Sequence, residues 1–230
     1  MGTLAVNRKG IIQGNAAGTY GDAHAATSGT ATDNVTGNQQ FAMQYFFSSG
    51  RGGATHRFTR TFLHFDTSGI TAGVSGMKLQ LTGVTNADAN AIGIKHTAGT
   101  GEGGEADGSN IVNDDFNNID RETIYTASTG WATSGVISMA FTAVGLAAVI
   151  AQDDFNIALL GVSDFAAEEE GPLAASGDIS NGIAFNSTIQ LSFTDAVTGY
   201  THDVLGVASA NIGKVIGVAT ANIGKVINVD

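Results

Sequence analysis

The run Gly99-Thr-Gly101-Glu-Gly-Gly104 matches the G-x-G-x-x-G string, which in a dinucleotide site leads from a strand into a helix whose first N–H groups hold a pyrophosphate. Here the string is followed by Glu105-Ala-Asp-Gly-Ser-Asn110, which is acidic and poor in helix formers and would repel phosphate. The stretch therefore reads as a loop. Histidines stand at 24, 56, 64, 96 and 202, with no H-E-x-x-H or other close ligand spacing. His64 and His96 fall in expected strands, where a histidine satisfied by its neighbours on the sheet surface is the ordinary outcome. Acyl transfer lacks its usual signal, because there is no G-x-S-x-G and no cysteine to replace the serine. Carboxylate pairs of the glycosidase kind could be drawn from Asp114, Asp115, Asp120 and Glu168 to Glu170, which read as a solvated acidic set on loops. No catalytic residue is assigned. No metal ligand or cofactor is assigned either. A structural Ca²⁺ is the one ion whose chemistry these oxygen-rich loops suit, although no D-x-D-x-D-G string is present. Trp131, the sole tryptophan, reads as a core or sandwich-edge residue, with a sugar-stacking platform as the alternative.

These residues sit in a chain of 230 residues, long enough for one large all-β domain. Hydrophobic residues make up 43% and charged residues only 13%, about half the usual share. With 21 Asp and Glu against 10 Lys and Arg the net charge is -11, which disfavours nucleic acid and anionic lipid as partners. Zero cysteines remove disulfides and thiolate zinc sites. The opening residues carry no apolar run before a small-residue cleavage site, and no stretch approaches the length of a membrane span, so neither export nor membrane insertion is expected. Asn34-Val-Thr36 and Asn186-Ser-Thr188 match the glycosylation sequon and read as chance matches.

Glycine is abundant, at 32 against one proline, and aromatic and β-branched residues recur between the glycines, as expected of short strands joined by turns. Met77-Lys-Leu-Gln-Leu-Thr82 and Ile189-Gln-Leu-Ser-Phe193 alternate apolar and polar. Further strands are expected at Phe41 to Phe47, Phe58 to Phe65, Ile92 to His96, Gly135 to Phe141 and Phe155 to Val162. Thr142 to Gln152 places Leu146, Val149 and Ile150 at helical spacing behind a Thr142 N-cap, which predicts one short helix. The expected fold is an all-β antiparallel sandwich over residues 19–196. Its core includes Met77, Leu79, Leu81, Ile157, Leu159, Ile189, Leu191 and Phe193, and Gly99–Asp120 and Asp164–Gly182 form long loops.

The two ends read differently. Residues 1–18 hold only Leu4, Val6, Ile11 and Ile12 as sizeable apolar anchors, which predicts a docking arm. Residues 197–230 contain an 11-residue repeat: Val204-Leu-Gly-Val-Ala-Ser-Ala-Asn-Ile-Gly-Lys214 recurs as Val215-Ile-Gly-Val-Ala-Thr-Ala-Asn-Ile-Gly-Lys225, and a third copy begins at Val226. A period of 11 suits a right-handed helical coil. The paired glycines and the Val, Ile, Thr and Asn of each copy favour instead short Val-Ile-Gly-Val strands joined by turns at Ala-Asn-Ile-Gly-Lys. Too small to be stable alone, the repeats are expected to make assembly contacts through Val204, Leu205, Val207, Ile212, Val215, Ile216, Val218, Ile223, Val226, Ile227 and Val229.

Two family likenesses follow from these residues. Gly21-Asp-Ala-His, then Arg60-Thr-Phe-Leu-His-Phe-Asp-Thr-Ser-Gly-Ile70 and Val74-Ser-Gly-Met-Lys-Leu-Gln-Leu-Thr82, resemble the DNRLRE-type domain, a jelly roll similar to carbohydrate-binding modules. Trp131, Phe155-Asn-Ile-Ala-Leu-Leu160 and Ile183-Ala-Phe-Asn-Ser-Thr-Ile-Gln-Leu-Ser-Phe193 keep the family's order, so the likeness spans about residues 20 to 195. His64 replaces the family's usual arginine, which weakens the case for an ion pair there. The C-terminal repeats resemble those of virion structural proteins of tailed bacteriophages. Together these likenesses imply a non-enzymatic component of the exterior of a phage particle. The favoured role is a capsid decoration (cement) protein, ahead of a tail or fibre component. It would lie in the virion, bound to a major capsid or tail protein, and would self-associate, with a trimer favoured. The alternative is an adhesin that recognises host surface glycan, and fold alone does not decide between them.

Overall fold

A computed structural model describes residues 1–15, 17–32, 41–86, 91–97, 111–128, 135–166, 179–195, 214–215 and 218–219. The long strands are β4 (Phe41–Gly50), β5 (Gly53–Asp66), β6 (Ser75–Asn86), β7 (Ala91–His96), β8 (Ile119–Ala127), β9 (Val136–Ala140), β10 (Asp154–Gly161) and β11 (Ile179–Thr194). They pair in the order β8-β7-β10-β5-β4-β11-β6-β9, every neighbour antiparallel. Cut between β4 and β5, this path gives two layers, β4-β11-β6-β9 and β5-β10-β7-β8, which is the strand order of a jelly roll. The far ends also meet, through an antiparallel bridge from Thr126 to Phe141. The expected all-β jelly-roll sandwich is the fold found.

Every strand expected from the sequence between residues 41 and 193 is present. The helix α2 (Ala143–Ala151) forms where its apolar spacing placed it, and the Thr142 side chain accepts from the Gly145 N–H. Met77, Leu79, Leu81, Ile137, Met139, Ile189 and Leu191 of one layer face Leu63, Phe65, Phe155, Ile157 and Leu159 of the other, and Phe193 packs at the rim. This inner core matches the alternating patterns. At about 25 cal/mol per Å² of apolar surface removed from water, it is the main source of stability.

The N-terminal expectation is corrected. β1 (Gly2–Ala5) lies along β11, Leu4 opposite Leu191, and β2 (Arg8–Gly14) lies along β5, Ile12 opposite Arg60. The chain crosses between layers here, with the Val6 N–H bonded to Ile189 O and the Asn7 N–H to His64 O. β3 (Gly29–Thr32) extends the sheet beyond β2. Ile12 is fully buried, so residues 1–14 complete the chain's own sandwich instead of reaching out as an arm. The edges of β5 and β11 supply unpaired N–H and C=O groups, and the few apolar residues of this segment fall where they face the core. The Met1 ammonium rests 3.3 Å from Asp195 Oδ2, so the start of the chain and the end of β11 share one corner.

Residues 111–120 are also corrected from loop to structure. A 3-10 turn (Asn113–Phe116) and the first residues of β8 fill them, and Phe116 is fully buried. α1 (Tyr20–His24) and α3 (Val162–Ala166) are further short helices. Together they cover a second core. β5 is buried on both faces from Phe58 to Phe65, its outer face carrying Phe58, Arg60, Phe62 and His64. Phe58, Phe62, Tyr45, Ala158 and Leu160 pack there against Tyr20, Ala23, Ile12, Ile111 and Phe116.

Among the repeats, β12 (Lys214–Val215) pairs antiparallel with β13 (Val218–Ala219), Val215 opposite Val218. Val215 and Val218, read from sequence as parts of one Val-Ile-Gly-Val strand, thus belong to two antiparallel strands.

Candidate functional site

The main polar centre lies under the second core and is built on Arg60. Its guanidinium is fully buried on the outer face of β5, an expensive location for a charge unless it is paired and hydrogen-bonded. Asp164, in the first turn of α3, supplies the pair in fork geometry. Arg60 Nε donates to Asp164 Oδ2 at 2.7 Å and Nη2 to Oδ1 at 2.8 Å. Arg60 Nη1 donates to the Phe116 carbonyl, and Nη2 to the His24 carbonyl at 3.5 Å. The Phe116 ring lies 3.8 Å from the guanidinium carbon, a cation–π contact.

Arg121 of β8 grips the same carboxylate from the side, Nη2 to Oδ1 at 3.0 Å, and its Nη1 donates to the Asp164 carbonyl at 2.6 Å. His24, at the end of α1, donates from Nε2 to that carbonyl at 2.8 Å, which fixes the proton on Nε2 because a carbonyl only accepts. Burial alone would raise the Asp164 pKa, but the Arg60 and then the Arg121 guanidinium hold it below the ordinary carboxylate value. His24 is shifted down, first by burial and further by the charges of Arg121 and Arg60 against the opposing pull of Asp164, so it is neutral at pH 7. A carboxylate held this low and engaged at both oxygens is a weak general base. The arrangement serves to tie elements together.

Two smaller centres follow the same pattern. His64 Nε2 lies 3.0 Å from Asp154 Oδ1, so His64 has a carboxylate partner on the neighbouring strand. His96 Nε2 lies 3.4 Å from Asp115 Oδ1, both buried and neither in a hydrogen bond at those atoms. Burial would raise the Asp115 pKa, yet His96 and the Val112 N–H, which donates to Oδ2 at 2.9 Å, hold it low. Asp115 is thus not the solvated residue the sequence implied, whereas Asp114 is exposed. Asp120 is shifted down by the Thr123 hydroxyl and the Glu122 N–H. His56 Nδ1 lies 2.8 Å from the Tyr45 hydroxyl. His64 and His96 are buried rather than on the sheet surface, and His56 is buried as well.

Among the described residues no three His, Asp or Glu gather closely enough to hold a metal ion. The Gly99–Gly104 string, Trp131, Glu168 to Glu170 and His202 lie outside the described residues. Of the assembly-contact set, the structure brings Val215 and Val218 together. Val204, Leu205, Val207, Ile212, Ile216, Ile223, Val226, Ile227 and Val229 lie outside the described residues.

The Arg60 centre was missed, although one signal was available. Phe58-Thr-Arg-Thr-Phe-Leu-His-Phe65 is apolar at both parities, the mark of a strand buried on both faces, so an arginine inside it had to have a buried acidic partner. No family model matches the chain, and no curated protein or solved structure matches it.

Proposed function

We propose that this chain is a non-enzymatic structural component of the exterior of a bacteriophage particle, acting as a capsid decoration protein. The observation that carries this reading is the near-identical pair of 11-residue repeats, Val204–Lys214 and Val215–Lys225, each apolar at several positions and bearing a single charge. Such a segment presents a strip that gains free energy by burial against a neighbour. The buried acid–base groups favour the same reading, because Asp164, Asp154 and Asp115 each join one element of the fold to another. The partners in this reading are a major capsid or tail protein and further copies of the chain, with a trimer as the preferred state.

Mass spectrometry of purified particles tests the assignment, and consistent absence of the chain from virions overturns it. Truncation after Tyr200 tests the role of the repeats. The expected product is a folded sandwich that no longer self-associates or attaches to particles, and retention of both properties removes the repeats from the assembly role. Saturable binding on a glycan array, lost on Trp131→Ala or Tyr125→Ala, would replace this reading with the adhesin.

A further inference from the structure

We propose that α1, the 3-10 turn and α3 form one cooperative lid over the outer face of β5, latched by the Arg60 guanidinium and opening as a unit while the inner core stays closed. The three segments are remote in sequence and run for 5, 4 and 5 residues. Helices this short have no stability of their own in water. Each instead places a group on the same buried cation: α1 the His24 carbonyl, the 3-10 turn the Phe116 carbonyl and ring, and α3 the Asp164 carboxylate. A second set of bonds joins the segments to each other and to their surroundings. His24 Nε2 meets the Asp164 carbonyl, Arg121 anchors α3 to β8, and the Ala31 N–H of edge strand β3 donates to Asn113 Oδ1 at 2.9 Å.

Cooperativity follows from the position of the charge. Withdrawing any one segment leaves Arg60 short of a partner and admits water, and water weakens the remaining contacts by raising the local dielectric. The three therefore leave together or not at all. Their departure bares Phe58, Phe62, Tyr45 and Leu160 on the outer face, while Leu63, Phe65, Ile157 and Leu159 stay sealed between the layers.

Hydrogen exchange on the full chain tests this, first in rising sub-denaturing guanidinium. Ala23 of α1, Ala25 at its C-cap, and Asn117 and Asn118 after the 3-10 turn have hydrogen-bonded amides that report opening. They and the amides of α3 should merge into one exchange curve of common denaturant dependence, below that of β6, β9 and β11. The second arm is Arg121→Gln, which removes one grip on Asp164 from a partly exposed position and leaves both cores intact. It should speed exchange in all three segments by one shared factor, about tenfold for the loss of a charge-assisted bond, with β6 and β11 unchanged. Separate curves for the three segments, acceleration confined to α3, equal acceleration in β6 and β11, or no acceleration would each overturn the lid.

Discussion

Replacing Arg60 with methionine leaves the Asp164 carboxylate buried with Arg121 as its remaining cation, and replacing Asp164 with alanine strands Arg60. Each change should cost about 3–5 kcal/mol in chemical denaturation. The double replacement Arg60→Met with Asp164→Leu should cost less than the sum, because no charge is then left unpaired. The pH dependence has two parts. Asp164 and Asp115 have lowered folded-state values, so their contribution is full above the unfolded carboxylate value of about 4 and disappears as pH falls through the lower folded values. His24 is also lowered, so the unfolded chain takes its proton first, and stability begins to fall as pH drops below about 6.5. Thermal melts from pH 7 to 5 should decline in the native chain and flatten in His24→Gln. The need for a partner to Arg60 could be read in β5, but the partner's identity could not. Asp164 stands 104 residues away, in a stretch that looked like solvated loop, and only the folded chain reveals that it points inward.

At the scale of elements, α2 was legible because its cap and its apolar spacing agree. Its glycine was not. Ala normally exceeds Gly in a helix by about 1 kcal/mol, yet a Cβ on Gly145 would lie 2.6 Å from the Tyr125 carbonyl and 2.8 Å from the Phe141 ring. Gly145→Ala should therefore destabilise, by about 1–3 kcal/mol, as overpacking does. Thr142→Ala loses both the cap to the Gly145 N–H and the bond to the Ile124 carbonyl, at 2.9 Å, and should cost about 1 kcal/mol or more. The strands β1 and β2 escaped the sequence reading because each is short and contributes only one or two large apolar residues. Their place is set by free edges on β5 and β11, which no local pattern records. Deletion of residues 1–14 should accordingly abolish soluble, cooperatively melting protein, where loss of a mere docking arm would leave the melt unchanged.

For the whole molecule, alternation within strands made the sandwich and its inner core legible, since one face of each strand meets the other layer. The second core was hidden because its cover comes from short turns of weak local signal. The charge of -11 bears on assembly. If copies meet through the repeats as proposed, each full repeat carrying a single lysine, their net negative charge still repels at longer range, and salt with a Debye length of about 10 Å at 0.1 M shortens that repulsion. Self-association measured by sedimentation should strengthen as salt rises, and weakening would point to contacts between opposite charges instead. The corner where Met1 meets Asp195 has a mechanical consequence. Force applied to the tail against the body of the sandwich runs along β11 and loads its bonds to β6, β4 and β1 side by side. Force applied between the tail and Met1 instead parts the Gly2–Phe193 pair first, then Thr3–Ser192, so that β1 peels away bond by bond. In single-molecule pulling, the first geometry should yield at high force in one step and the second at low force with an early release of β1.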